Sequence, residues 1–318
     1  MSLAAPPRAA ARSTAFPAEV SRHRWQGYHC ESRLVRTSAP RIAPVLLIGG
    51  AFQTKETWGR FEREFLAHGD VLTVDPPGWG AGGILPDRYG ADFLADALSH
   101  MLDETGLASV NIVSGSYGTA IAYRLAQRHP ERVRRVVLIG TMTSIPEHAR
   151  IAMRRTMDLL AERRMQEFAE ASVEMLMNAD GGASVTAGAK VRRFLLRRLL
   201  NLGADEAEQA FANTHRLLRH EMVDPSRAPA APVLVTTGEH DTFTTPDLCR
   251  ALAATCRDSW FAEVADADHM LHLERTSEVA DLATRFLAAE PLAGLAYCRS
   301  VERISGPAAF RRAGAVTG

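Results

Sequence analysis

Over the first half of this chain, short apolar-rich runs alternate with segments whose apolar residues recur at helical spacing, and that alternation restricts the fold more than any other feature. Residues 44–48 (Pro-Val-Leu-Leu-Ile) are apolar throughout, as a strand covered on both faces must be. Trp58, Phe61 and Phe65 then fall at i, i+3 and i+7, one face of a helix. A strand-like run at 71–74 closes on Asp75-Pro76-Pro77-Gly78, and Leu94, Leu98, Met101 and Leu102 mark another helix. A strand at 110–113, a helix at 121–127 and a strand at 133–139 continue the series, and residues 25–36 ahead of it read as a strand pair. Short connections between alternating elements predict an α/β fold, a mostly parallel sheet with helices on both faces.

The alternation stops at about residue 141 and resumes with a strand at 233–236, a helix at 248–254, a strand at 260–264 and a helix at 277–287. The sequence therefore predicts a core over 21–140 and 230–290 with a helical cap inserted over 141–229. Ligands of open α/β sheets bind outside the carboxyl ends of the strands, the natural place for such a cap. Residues 1–20, rich in Ala, Pro and Arg, are expected to be a disordered tail, and 291–318 a C-terminal tail of little periodicity.

The strand at 110–113 leads straight into Ser114-Gly115-Ser116-Tyr117-Gly118, followed by a helical pattern. This is the sequence form of a nucleophile elbow, a serine on a strained strand-to-helix turn. A serine hydroxyl needs a base, and an imidazole serves only when a third group holds its tautomer. Asp241 stands just beyond the strand at 233–236, with Glu239 as the alternative acid. His269 follows the strand at 260–264, with His272 as the alternative base. Asp266 and Asp268 read as loop-orienting or helix-capping residues and His240 as structural. Two backbone N–H groups suit an oxyanion by position, those of Tyr117 and of Ala51 in the loop Gly49-Gly50-Ala51. Phe52, Gln53, Trp79, Met142 and Met270 are expected to line the substrate site.

Bulk properties narrow the function classes. The 37 basic and 37 acidic residues cancel, which argues against nucleic acid as the main partner. The four scattered cysteines lack metal-ligand spacing and read as free thiols in a reducing, cytoplasmic setting. No apolar run reaches the roughly 18–20 residues of a membrane span, and no signal-peptide pattern opens the chain. No metal or organic cofactor is implied, because neighbouring side chains supply the activation.

Together, the elbow, the order Ser116, Asp241, His269 and the loop positions resemble the α/β-hydrolase superfamily over about 25–287. Usual members carry His-Gly at 49–50, Gly at 114 and Gly before the histidine, where this chain has Gly49-Gly50, Ser114 and Asp268. Within the superfamily, 45–51, 110–118, 241–245 and 269–274 are similar to the rhamnolipid-precursor synthase group, although Tyr117 and Thr119 replace its Trp and Gly. That resemblance implies that Ser116 takes a hydroxyacyl group from acyl carrier protein and passes it to a second hydroxyl.

Six of the ten methionines lie between 142 and 177, as an adaptable apolar wall would require. Residues 190–200 form a basic amphipathic helix, and Arg192, Arg193, Arg197 and Arg198 are candidates for docking an acidic acyl carrier protein. The expected function is a serine acyl enzyme acting on an ester or thioester and passing the acyl group to water or an alcohol. Hydrolysis of a carbon–carbon bond or a cyclisation by the same triad, and a non-catalytic binding module, are the alternatives.

Overall fold

The computed structural model describes residues 17–178 and 185–305. Nine strands form one sheet: β1 (Ala18–Trp25), β2 (Tyr28–Val35), β3 (Val45–Ile48), β4 (Val71–Asp75), β5 (Val110–Gly115), β6 (Val133–Ile139), β7 (Val233–Gly238), β8 (Ser259–Val264) and β9 (Cys298–Ser305). Their spatial order is β1-β2-β4-β3-β5-β6-β7-β8-β9. The six strands from β3 to β8 run parallel, and antiparallel pairings bring in β1 and β2 at one edge and β9 at the other.

Helices cover both faces because β3, β4, β5 and β7 are buried along their whole length. α1 (Gly59–Leu66) packs Phe61 and Phe65 on one face beside α10 (Thr276–Leu287). On the other face lie α2 (Ala91–Glu104), with Leu94, Leu98, Met101 and Leu102 inward, α3 (Tyr117–Arg128) and α8 (Pro246–Ala254). Burying each such Leu, Met or Phe is worth about 1.5–3 kcal/mol. α9 (Leu271–Glu274) is one short turn before α10.

Between β6 and β7 the chain runs through α4 (Glu147–Ala161), α5 (Met165–Leu176), α6 (Gly188–Leu200) and α7 (Ala204–Arg219), which share a separate apolar cluster. α7 docks on the sheet through polar side chains on one stripe. Gln209 donates to the Gly80 and Gly82 carbonyls, Asn213 to Gly78, and Arg216 to Leu85, Pro86 and Tyr89. Arg216 is only 1 % exposed and spends its guanidinium N–H groups on the turn after β4, so a buried cation replaces apolar packing at this seam.

Two expectations at the chain ends are corrected. Residues 298–305 are not tail but β9, which pairs along β8. As an edge strand it is charged rather than apolar: Arg299 pairs with Glu239, Arg303 with Asp258 and Glu302 with Arg250. At the other end β1 begins at Ala18, and the turn of the first hairpin falls at Gln26-Gly27, where Gly27 has φ +90°. The remainder of both expected tails, 1–16 and 306–318, lies outside the described residues. No helix among the described residues is long and apolar enough to cross a membrane.

Candidate active site

Ser116 sits between β5 and α3 at φ 48°, ψ −120°, a strained conformation of order 1–3 kcal/mol for a residue with a side chain. The turn is this sharp because α3 starts directly against the end of β3. A Cβ at Gly118 would lie 2.6 Å from the carbonyl oxygens of Ile48 and Gly49, so only glycine permits the approach.

His269 and Asp241 meet Ser116 from the loops after β8 and β7. His269 Nε2 is 3.1 Å from Ser116 Oγ, and His269 Nδ1 is 3.0 Å from Asp241 Oδ2. Asp241 is held from several sides: Thr237 and Thr244 hydroxyls donate to Oδ2, and the Phe243 and Thr244 backbone N–H groups donate to Oδ1. Gly140 (φ +64°) makes room for the ring, since a Cβ there would be 3.0 Å from His269 Cε1. The Phe243 ring closes edge-on over the imidazole at 5.3 Å. Burial opposes charge on both partners. For Asp241 it is outweighed by the His269 charge and the donated hydrogen bonds, which hold the carboxyl below its ordinary value. For His269 the Asp241 carboxylate outweighs it and raises the imidazole above its ordinary value. The arrangement can take a proton from Ser116, hold it on the imidazolium and return it to a leaving group.

Above Ser116 runs the loop after β3. The Ala51 and Tyr117 N–H groups make no hydrogen bond among the described residues, and both residues line the space at Ser116. The Ala51 N–H shares a planar peptide with the Gly50 carbonyl, which accepts the Trp79 indole N–H at 3.2 Å. The Gly50 N–H donates to Gln53 Oε1 at 2.7 Å. That bond fixes the Gln53 amide, so its Nε2 donates to His272 Nε2 at 3.2 Å. His272 is therefore neutral with its proton on Nδ1. Burial, with the charge on His269, pushes its pKa down to about 4.

Comparison with known proteins identifies the family. A family model described as alpha/beta hydrolase fold matches residues 43–276. The chain belongs to the alpha/beta hydrolase family. A poly(3-hydroxyalkanoate) depolymerase of Ectopseudomonas oleovorans is 30 % identical over a stretch covering 34 % of this chain and 38 % of that protein. The chain thus matches under half the length of that relative. A pimeloyl-[acyl-carrier protein] methyl ester esterase of Nitrosospira multiformis is 26 % identical over 71 % of this chain and 87 % of its own. The crystal structure of MGS-M2, an alpha/beta hydrolase from a deep-sea metagenome library, superposes with TM-score 0.74 at 15 % identity, covering 85 % of this chain and 98 % of that one, and shows the fold.

Two cavities open from Ser116. One runs under α4 and α5 and is lined by Tyr117, Met142, Met153, Met157, Met175 and Met222 among others. The second runs under α6 past His269, Met270, Phe194, Leu195 and Leu199. Ala51, Phe52 and Ser116 belong to both, and Gln53 to the second.

Other expected residues are placed differently. Trp79 lines neither cavity at Ser116. It is 4 % exposed, packs edge-on against the Tyr117 ring and holds the Gly50 carbonyl from behind. Arg198 is not a free docking cation. It pairs with Glu206, donates to the Phe52 carbonyl and borders the α6 cavity. Arg193 and Arg197 are exposed, Arg192 is half-buried, and their side chains pair with no described residue. His272 touches Gln53, not Ser116, and Glu239 binds Arg299 and the Asp266 N–H. Asp266 and Asp268 accept the Thr186 and Asn178 N–H groups and so tie the cap to the His269 loop. Thr237, Thr244 and Glu274, whose carboxylate accepts the Asp268 N–H, were not picked out from the sequence; hydroxyls beside Asp241 at 237 and 244 were the available signal.

Proposed function

We propose that this hydrolase is a serine acyl enzyme. Ser116 attacks an ester or thioester carbonyl while His269 takes its proton, Asp241 stabilises the imidazolium, and the Ala51 and Tyr117 N–H groups hold the oxyanion. His269 then protonates the leaving group, and water or an alcohol activated by the same imidazole releases the acyl group. The observation that carries this reading is the single hydrogen-bonded line from Ser116 Oγ through His269 to Asp241.

For the finer step we propose that the acyl group arrives on acyl carrier protein and leaves to a hydroxyl. Support comes from the esterase relative, whose name specifies a carrier-bound methyl ester, and from the guanidinium groups of Arg192, Arg193 and Arg197 on α6, which pair with no described residue. An acidic carrier would be steered to such a helix. Reversing all three to Glu should slow acyl loading from carrier protein about tenfold or more while sparing a small free thioester. Equal loss on both substrates rejects the docking role.

A further inference from the structure

The two cavities that meet at Ser116 differ in which catalytic group they expose. His269 borders the cavity under α6 but not the methionine-lined one, whereas Tyr117, an oxyanion donor, borders the methionine-lined cavity but not the other. A carbonyl carbon bonded to Ser116 Oγ with its oxygen on the Ala51 and Tyr117 N–H groups has two remaining substituents, the acyl chain and the departing oxygen or sulfur. The departing atom must lie against His269 Nε2 to receive its proton. It therefore leaves under α6, and the acyl chain takes the other direction.

We propose, resting on the serine acyl reading, that the methionine-lined cavity is the acyl limb and the α6 cavity the alcohol limb, so that the acyl chain and the alcohol of the ester formed or cleaved at Ser116 are both apolar. The balance of the step is simple. The Ser116 Oγ–carbonyl bond forms, the carbonyl–O or –S bond breaks, and the serine proton passes by His269 to the departing group; the second half reverses this with water or an incoming alcohol. Both limbs are apolar by construction. Met153, Met157 and Met175 give the acyl limb a wall that can reshape around chains of different length. Phe194, Leu195 and Leu199 roof the alcohol limb. The cation that borders it, Arg198, is already neutralised by Glu206. A methyl or other small leaving group would leave this second limb unused.

The test is a crossed series of esters: acetyl, octanoyl and dodecanoyl ethyl esters for the acyl side, and ethyl, octyl and dodecyl acetates for the alcohol side. Wild-type kcat/KM should rise with length in both series. Met157→Trp should lower the octanoyl-to-acetyl ratio at least about tenfold and leave the octyl-to-ethyl ratio as in wild type; Leu195→Trp should do the reverse. Met153→Ala, which enlarges the acyl limb, should shift the acyl optimum to longer chains and covers the case in which a tryptophan variant fails to fold. A wild-type rate flat in alcohol length, or tryptophan variants that move the same ratio, overturns the assignment. Labelling by a fluorophosphonate separates the two claims: no label on Ser116 sinks the serine acyl reading, whereas labelling without crossed length dependence sinks the limb assignment alone.

Discussion

Replacing Gln53 with Leu tests whether the loop above Ser116 is held by its side-chain amide. The wild-type amide accepts the Gly50 N–H at 2.7 Å and donates to His272 Nε2 at 3.2 Å. Leucine keeps the volume and removes both bonds, each worth about 0.5–1.5 kcal/mol net. Their sum, about 1–3 kcal/mol, bounds how far the Gly50–Ala51 peptide can escape its aim, since Trp79 still holds the Gly50 carbonyl. At about 1.4 kcal/mol per decade, kcat should fall between about 5- and 150-fold. That range only reaches the lower end of the 10²–10³-fold loss typical of deleting an oxyanion donor outright. The loss should appear in kcat with KM little changed, because the peptide matters only once the carbonyl oxygen carries charge. Steady-state kinetics on a short ester and thermal unfolding of the same variant form the assay. A kcat within twofold of wild type, or a loss confined to KM, refutes the reasoning.

Asp241→Asn removes the charge that raises His269 and should lower kcat by about 10⁴-fold; a loss under tenfold would show that Asp241 does not set the imidazole. Because His269 must be neutral to act as base and its pKa is raised, kcat/KM should fall on the acid side with a midpoint above 6.5, and Thr244→Val should displace that limb; a pH profile flat down to pH 5 contradicts this. His272, buried and neutral with a pKa near 4, makes folding stability full above its ordinary value of 6.5 and progressively weaker as pH falls towards 4. The gap is worth about 3 kcal/mol, and in His272→Gln denaturant unfolding should show that dependence diminished.

The sequence exposed those parts of the fold that are buried on both sides. β3, β5 and β7 lie in the sheet centre, so their apolar runs had no other use, and each chemical loop could be located from the strand before it. β9 was missed because an edge strand can carry Arg299, Glu302 and Arg303 and still pair through its backbone. Trp79 was expected to be a pocket wall because an aromatic in a Gly- and Pro-rich loop gives no sign of where its indole N–H points. Arg198 belongs by composition to a basic run, and only the short turn between α6 and α7 brings Glu206 to it. Gln53 and His272 are 219 positions apart, a separation that local pattern cannot bridge. The same holds for the polar stripe of α7, whose partners are carbonyls and therefore carry no side-chain signature.

Intact-mass spectrometry of the protein quenched during turnover of a slow acyl ester, followed by peptide mapping, bears most directly on the acyl enzyme. The account predicts one added acyl mass on the peptide containing Ser116, absent in Ser116→Ala and no longer formed at a comparable rate in His269→Ala. Turnover that persists in Ser116→Ala, or an adduct mapped to another residue, would contradict it.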